Sequence, residues 1–328
     1  MSNDKQQYTI SSVLEALNII TRGRVVKNWN EIISGENPYV CIKTSHIPGK
    51  SIMEIPGLIF GRPEQDVNKV GVVMTLTEQV IELASGMGID LIIAHHPVAD
   101  AANSGGVPFA HYLPLYRIAV IELHEAFHGL HPGVAFIHGH RKLHTDTAFG
   151  GIIGNVLHVG EALEEVRTAG DMIRRLEKFI GLGLERDLLS YERGVKHSEH
   201  IYEATLVNPA KLLSGNPDSP VKHILHFFPH TGFNLEHLQL ALDMYPETDT
   251  IIVSISRVKE DHPLVQEARK RGLTFIVGNS HSVEILENGV PLALAVEKLC
   301  PGLEVHLIRE RVTAEPVSQL ARKEIVQY

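Results

Sequence analysis

The stretch that most restricts the fold is Ile89 to Asp100, which reads IDLIIAHHPVAD. Leu91 to Ala94 are apolar, Asp90 precedes them, and two histidines and a proline follow. A short apolar run cut off in this way predicts a buried strand that ends abruptly at the rim of a sheet. In α/β folds such carboxyl ends carry ligand-binding groups, because the ladder holds the backbone while the side chains face a crevice. His95 and His96 are adjacent, so on extended backbone their rings point to opposite sides. The pair can then serve two ions, or one ion and a supporting partner, and neutral imidazole suits zinc and iron alike.

Around this run the pattern alternates. Lys69 to Met74 predicts a strand and Thr77 to Gly86 a helix, which with the strand before His95 makes a βαβ unit with parallel pairing. Upstream, Ile10, Val13, Leu14 and Leu17 share one helical face. Ser12 and Glu15 have the spacing of a capping box, which would leave Ile10 outside the helix. Pro48, Pro56 and Pro63 predict irregular chain or short edge strands, Ala99 to Pro108 a loop, and Leu113 to Leu123 an apolar approach to HEAFHG at 124–129. Gly150, Gly151 and Gly154 read as turn glycines, without a GxGxxG fingerprint. A helix is expected from about Gly160 to Gly181, and Asp187 to Pro220 is polar enough to be a linker or the edge of an insertion. Beyond it, Val221 to Phe228, Thr250 to Ile255, Leu273 to Val277 and Leu303 to Ile308 read as strands. They alternate with helices at Asn234 to Tyr245, Asp261 to Arg271 and Pro291 to Leu299. The expectation is an α/β chain of two similar lobes around mixed or mostly parallel sheets. Its N-terminal lobe spans 1–160 and carries the HHP motif, 161–220 is a connecting or inserted segment, and a C-terminal lobe at 221–328 completes the site.

Composition removes several classes of function. Lys and Arg total 30 against 39 for Asp and Glu. The basic runs, Met172 to Lys178 and Arg269 to Arg271, are short, so no nucleic-acid partner is expected. Cys41 and Cys300 form no CxxC pair, which argues against a disulfide framework or a thiolate cluster and for a reducing compartment. No apolar stretch approaches a membrane span, and MSNDKQQYTI lacks the regions of a signal peptide, so no membrane partner and a cytoplasmic protein are expected. The 20 histidines are many for the length, and their grouping carries the functional reading.

Three places put such groups at or beyond the end of an apolar run: His95 with His96, His124 with His128, and His281 with Glu284. A metal needs donors gathered from separate elements, and two ions need roughly five or more. Glu284 is the best carboxylate by spacing. Glu125 and Asp146 lie beside candidate ligands, where each can orient an imidazole or stay solvated. His138, His140 and His144 are expected to be ordinary loop or surface histidines. His226 and His230 can bind phosphate or close a pocket, or simply pack. No GxSxG elbow occurs, and Ser280 beside His281 makes no triad by adjacency.

Ile89 to Val98 resembles the HHP signature of the NIF-three-like proteins, a family described as dinuclear-metal-centre hexamers and often labelled GTP cyclohydrolase I type 2 homologues. PGLIFG at 56–61 is similar to the family's early DNSGLQVG segment. Lys69 to Val80 resembles its strand and helix, with Thr75 where an aspartate is usual, and Val221 to Gly232 with Thr250 to Gly289 resembles its second half. The resemblance implies two divalent ions per chain, zinc or iron, with His95, His96, His124, His128, His281 and Glu284 as ligands and Glu125 as candidate general base. His128 falls where the family has an aspartate, which exchanges a bridging carboxylate for a neutral donor. An alternative alignment sets the same segment on His144 and Thr145, with Asp146 nearby. The final ligands, His281 and Glu284, stand three apart rather than four, and either spacing keeps both on one helical face. The family further implies a homo-hexamer and a metal-dependent hydrolase, in which metal-activated water attacks a nucleotide or another small heterocyclic or phosphorylated compound. No P-loop and no Arg or Lys cluster suited to a triphosphate accompanies this. The rival reading is a non-catalytic metal-binding regulatory, storage or chaperone protein.

Overall fold

A computed structural model describes residues 7–44, 49, 51–98, 109–131, 133–228, 232–254, 258–280 and 283–317. The expected loop Ala99 to Pro108 and the histidines His230 and His281 lie outside them. The chain divides into two compact units, one of residues 1–132 with 285–309 and one of residues 133–284 with 310–328. Residues 161–220 thus fall within the second unit, and the penultimate stretch returns to the first.

The first unit opens with helix α1, Ile10–Ile20. Its N-cap is Thr9, whose hydroxyl accepts from the backbone N–H of Ser12, and Ser12 closes the box. The box therefore sits three residues earlier than the Ser12–Glu15 spacing implied. Ile10 gains a buried place in the first turn, beside Val13 and Leu17. A hairpin of β1, Cys41–Thr44, and β2, Ser51–Glu54, sets Cys41 opposite Glu54. There follow β3, Gly57–Phe60, and β4, Lys69–Val73. Helix α2, Glu78–Gly86, capped by Thr77, leads to β5, Leu91–Ala94. Helix α3, Phe109–Tyr116, and β6, Ala119–Glu122, complete this stretch. The sheet runs Glu304–Leu307, β4, β5, β6, β3, with every pairing parallel except that of the edge strand β3. The expected βαβ unit is β4–α2–β5.

β5 reads as an unbroken apolar run because both its faces are covered. Leu91 and Ile93 pack with α1 and with Leu292 and Val296 of the helix Val290–Leu299. Ile92 and Ala94 pack with Val80 and Ile81 of α2 and Leu113 of α3. Each buried Leu or Ile contributes about 1.5–3 kcal/mol, so the register resists slipping by the one residue that would turn His95 to the other face. The ladder also runs past the strand. His95 N–H donates to the Val73 carbonyl at 3.0 Å, and His96 N–H to that of Met74 at 2.7 Å.

The second unit holds α4, Val134–Ile137, then β7, His140–Asp146, and β8, Val156–Ala162. Helices α5, Ala169–Phe179, and α6, Leu182–Lys196, precede β9, Lys211–Ser214, and β10, His223–Phe228. Helix α7, Leu235–Met244, β11, Thr250–Val253, helix α8, Pro263–Lys270, and β12, Thr274–Val277, close it. The sheet order is β9–β12–β11–β10–β8–β7, parallel in its β10–β11–β12 part and antiparallel elsewhere. This is the mixed α/β architecture expected.

Two local expectations fail. The stretch from Gly160 is strand until Ala162, since Val156, Leu157 and Val159 are buried in a ladder, and the helix starts only at Ala169, behind its N-cap Thr168, which forms a capping box with Asp171. Asp187 to Pro220 is not a linker. Leu182, Glu185 and Leu189 bury one side of α6, and most of its other charged residues are exposed, so the segment looked polar in sequence.

A third correction concerns histidines. His144 is exposed as expected, but His138 and His140 are buried, together with His158 and His226. His140 enters the sheet at the head of β7, where its Nε2 lies 3.0 Å from Nδ1 of His226. Burial, with the charges of neighbouring histidines and Lys142, holds His140 and His226 well below the usual histidine value. His158 is pushed down to about 3 by burial, then by Lys142 and His138. As pH falls below about 6.5 the unfolded chain therefore takes up protons that the folded chain refuses. Stability is complete above that value and declines toward pH 3, by up to about 1.4 kcal/mol per pH unit for each such histidine. Urea midpoints of metal-free protein, measured with chelator present, should fall between pH 7 and 5, and less steeply for His158→Gln. A midpoint that stays level, or rises, over this range would overturn the assignment.

Candidate metal centre

In the first unit the end of β5, the end of β2 and the turn after β6 bring histidines and carboxylates together. His95, fully buried, follows β5 directly, and its Nδ1 lies 2.9 Å from the carbonyl oxygen of Leu123. His124 stands two residues beyond β6, with its Nδ1 3.1 Å from Oε2 of Glu54, the last residue of β2. His128 has its Nδ1 2.9 Å from Oε2 of Glu125. The local cause is a tight turn, in which Phe127 N–H donates to the His124 carbonyl at 2.9 Å and His128 N–H to that of Glu125 at 3.2 Å. Ala126 and Phe127 anchor the turn in the core, and Arg24 donates to the carbonyls of Ala126 and His128.

A carbonyl or an ionised carboxylate only accepts, so in all three rings the hydrogen belongs on Nδ1 and Nε2 is the lone-pair nitrogen. The Nδ2 of Asn288, 3.3 Å from His95 Nε2, donates to that nitrogen, in agreement with this tautomer. One ligand atom from each of His95, His124 and His128 lies within 4.8 Å of the others. The ring centroids are 4.6 to 5.4 Å apart. A second group, Glu54, His124 and Glu125, meets the same limit and shares His124 with the first. The two clusters are consistent with a divalent metal site.

Neighbouring groups hold this arrangement. Glu122, at the end of β6, accepts the N–H of Ile55 at 2.9 Å with one oxygen and that of Val98 at 2.8 Å with the other. One carboxylate thereby ties the residue after Glu54 to the turn after the histidine pair. Burial pushes Glu122 up to about 7, against the lowering effect of these two N–H groups and with a further rise from Glu54. His96, half-buried, bonds through Nδ1 to the Thr75 hydroxyl at 2.7 Å and belongs to neither donor group. Glu125 is buried against His128 and His124, with Oε1 3.6 Å from His124 Nδ1. Glu284 is buried in the second unit, outside both donor groups.

Of the residues singled out from sequence, the structure brings together His95, His124, His128 and Glu125, and it adds Glu54, Glu122 and Asn288, which the sequence reading did not name. Glu54 lies on a hairpin between two prolines, with no motif around it. Its one available signal is the alternation of SIME, whose second and fourth residues are the buried ones.

A family model described as "Duf34/NIF3 (NGG1p interacting factor 3)" matches residues 47–102. None of the curated proteins matches the chain. Among solved structures, hypothetical protein SA1388 of Staphylococcus aureus is 13% identical, with 98% of this chain and 100% of that one covered and a TM-score of 0.56. Reduced HcgD from Methanocaldococcus jannaschii is 14% identical, with coverage of 86% and 98% and a TM-score of 0.50. A Bacillus cereus protein related to NIF3 is 12% identical, with coverage of 87% and 97% and a TM-score of 0.51. At these identities the likeness is one of fold, and the chain has the NIF3-like fold.

Replacing Glu122 by alanine leaves two backbone N–H groups without their acceptor, each worth about 1–3 kcal/mol when buried. Urea unfolding of Glu122→Ala should show a loss of about 2–5 kcal/mol. A loss under 1 kcal/mol would mean that the carboxylate does not hold the two segments.

Proposed function

We propose that the chain is a NIF3-family protein that holds one divalent ion, zinc or iron, on His95, His124 and His128 of its first unit, and that it is a metal-dependent hydrolase. The observation carrying this reading is the anchoring of all three Nδ1 atoms in rings that each bring one ligand atom within 4.8 Å of the others, which leaves Nε2 of each ring as its lone-pair nitrogen. Three neutral imidazoles backed by carboxylates or carbonyls are a fitting donor set for such an ion, and three protein ligands leave a position for water or substrate. When bound, the ion would act as a Lewis acid and lower the pKa of water toward neutrality.

The resemblance implied two ions, but Glu54 and Glu125 are already engaged as acceptors for His124 and His128. We assign them to orienting and charging those rings. Glu125 is thereby removed from the role of general base. Proton transfer falls instead to His96, whose ring lies 5.5 Å from that of His95 and 5.9 Å from that of His124. Its Thr75 partner is a hydroxyl that donates or accepts, so the contact survives either tautomer. The substrate class carried over from the resemblance is a nucleotide or another small heterocyclic or phosphorylated compound, and the assembly carried over is a homo-hexamer.

Elemental analysis of untagged protein should show His95→Ala losing one equivalent of metal per chain relative to wild type. Glu54→Gln should weaken that ion's binding about 10–100-fold, the usual effect of removing a carboxylate behind a metal-bound histidine. His96→Gln should keep the metal and lose turnover in a nucleotide hydrolysis screen. Unchanged metal content in His95→Ala would sink the proposal. A metal-replete wild type inactive across the screen would favour the storage or regulatory reading.

A further inference from the structure

Ile285–Gly289 form a π-helical turn that runs into the helix Val290–Leu299, both within the first unit. Such i→i+5 turns are rare, and they occur frequently at functional sites. Ile285, Glu287, Asn288 and Gly289 are buried in this one. Gly289 is where the turn meets the sheet. A Cβ there would lie 2.5 Å from Cδ1 of Ile285 and 3.2 Å from both Leu307 Cδ1 and Met74 Cε. Met74 directly follows β4, and its carbonyl accepts the N–H of His96. Beyond the turn, Leu292 and Val296 pack with Leu91 and Ile93 of β5. The turn and His95 are thus both referenced to one sheet, and packing fixes their separation.

The polar product of this placement is a contact from Asn288 to His95. Asn288 is 1% exposed, and its Nδ2 lies 3.3 Å from Nε2 of His95. Burying an amide costs free energy that an apolar side chain of the same size does not. The hydrogen of His95 is on Nδ1, which donates to the Leu123 carbonyl, so Nε2 carries only its lone pair. The oxygen end of an amide would repel that lone pair, and only the NH2 end fits against it. His95 is therefore held at both nitrogens, donating from one and accepting at the other. A ring nitrogen's lone pair accepts one hydrogen bond or binds one ion, not both. The nitrogen assigned to the ion is the one that the Asn288 amide faces.

We propose that Asn288 is a positioning residue for His95, one that holds the Nε2 lone pair before metal binds and gives it up when metal binds. This rests on the reading of His95, His124 and His128 as metal ligands. Before loading, the amide donor favours the neutral ring in the tautomer that ligates. On loading, the hydrogen bond is lost, and the Asn288 side chain turns or withdraws. The amide thus stabilises the protein without metal and weakens the site by the net strength of one hydrogen bond, about 2–10-fold in affinity. Three imidazoles alone would hold the ion more tightly. The π-turn that carries Asn288 is the element that tunes how readily the site exchanges its metal.

The test uses the full chain, untagged and stripped with chelator, as wild type and as Asn288→Leu, which keeps the size of the side chain and removes the amide. Zinc affinity, read by competition with a chelating dye, should be about 2–10-fold tighter in Asn288→Leu. In ring nitrogen-15 spectra of the stripped proteins, the His95 Nε2 signal should move in the variant toward that of an imidazole nitrogen accepting no hydrogen bond. The Nε2 signals of His124 and His128 should stay in place, which a general loosening of the core would not allow. Because Asn288 is a buried position, a third measurement keeps the wild-type chain. Crystals of it, stripped and then soaked with zinc, should show Asn288 Nδ2 within hydrogen-bond distance of His95 Nε2 in the first state and away from it in the second. The proposal fails if Asn288→Leu binds zinc as wild type does, or more weakly, as it would if the amide oxygen ligated the ion. It fails equally if the His95 signal stays in place, or if the amide keeps its position in both crystals. Wild type that takes up no zinc would defeat the metal reading as well, whereas these outcomes in a zinc-binding wild type defeat this proposal alone.

Discussion

The site depends on one backbone constraint, the parallel ladder of β5, which continues past its last apolar residue. Val73 and Met74 accept the N–H groups of His95 and His96, so the two histidines belong to the sheet although they lie beyond the assigned strand. With both faces of β5 buried, the strand cannot rotate or slide without exposing Leu91, Ile92 or Ile93. The ring of His95 thus inherits its direction from hydrophobic packing. Leu123 N–H pairs with the Ala94 carbonyl, and the Leu123 carbonyl in turn takes His95 Nδ1. One residue of the neighbouring chain segment fixes both the backbone and the tautomer.

The carboxylates then settle the charge. Where the family resemblance leads one to expect an aspartate, this chain has His128, and the negative charge has moved rather than vanished. Glu125 reaches His128 and His124, and Glu54 reaches His124 from the hairpin. Three neutral imidazoles with two ionised carboxylates behind them carry a formal charge of -2, which a divalent ion balances. The carboxylates supply this balance from behind the rings, so the exchange of an acidic ligand for a neutral one leaves the electrostatics of a metal site in place.

Much of this was legible because short-range patterns dictated it. β5 announces itself by an apolar run with a polar end, and α2 by its Thr77 cap and the periodicity of Val80 and Ile81. HEAFHG could be read because His124, Glu125 and His128 lie within one turn. Glu54 and Glu122 could not be, since their roles arise from contacts across the hairpin and between β6 and two separate loops. His140 was misread for a related reason. HGHRKLHTD is polar on average, and β7 is indeed exposed from Arg141 to His144, yet its first residue lies under the edge of the sheet. Composition over a window hides a single buried position at a strand's end.

The two histidine clusters obey one rule in two settings. In each, a ring nitrogen is tied to an oxygen, and this decides which nitrogen is left to act. In the first unit the tying atoms include ionised carboxylates, which raise the basicity of the ring and suit a Lewis-acidic ion with a position to spare. In the second they are a carbonyl and two hydroxyls, with no negative charge within the set, and burial together with the charges of Lys142 and neighbouring histidines holds His140, His158 and His226 below the usual histidine value. Charged backing raises the basicity of a ring, whereas neutral backing in a closed sheet leaves the imidazole a neutral, buried polar group. In that second set His140 Nδ1 and His158 Nε2 are buried without a hydrogen-bond partner. A fold that merely needed bulk there would lose nothing by using leucine or phenylalanine.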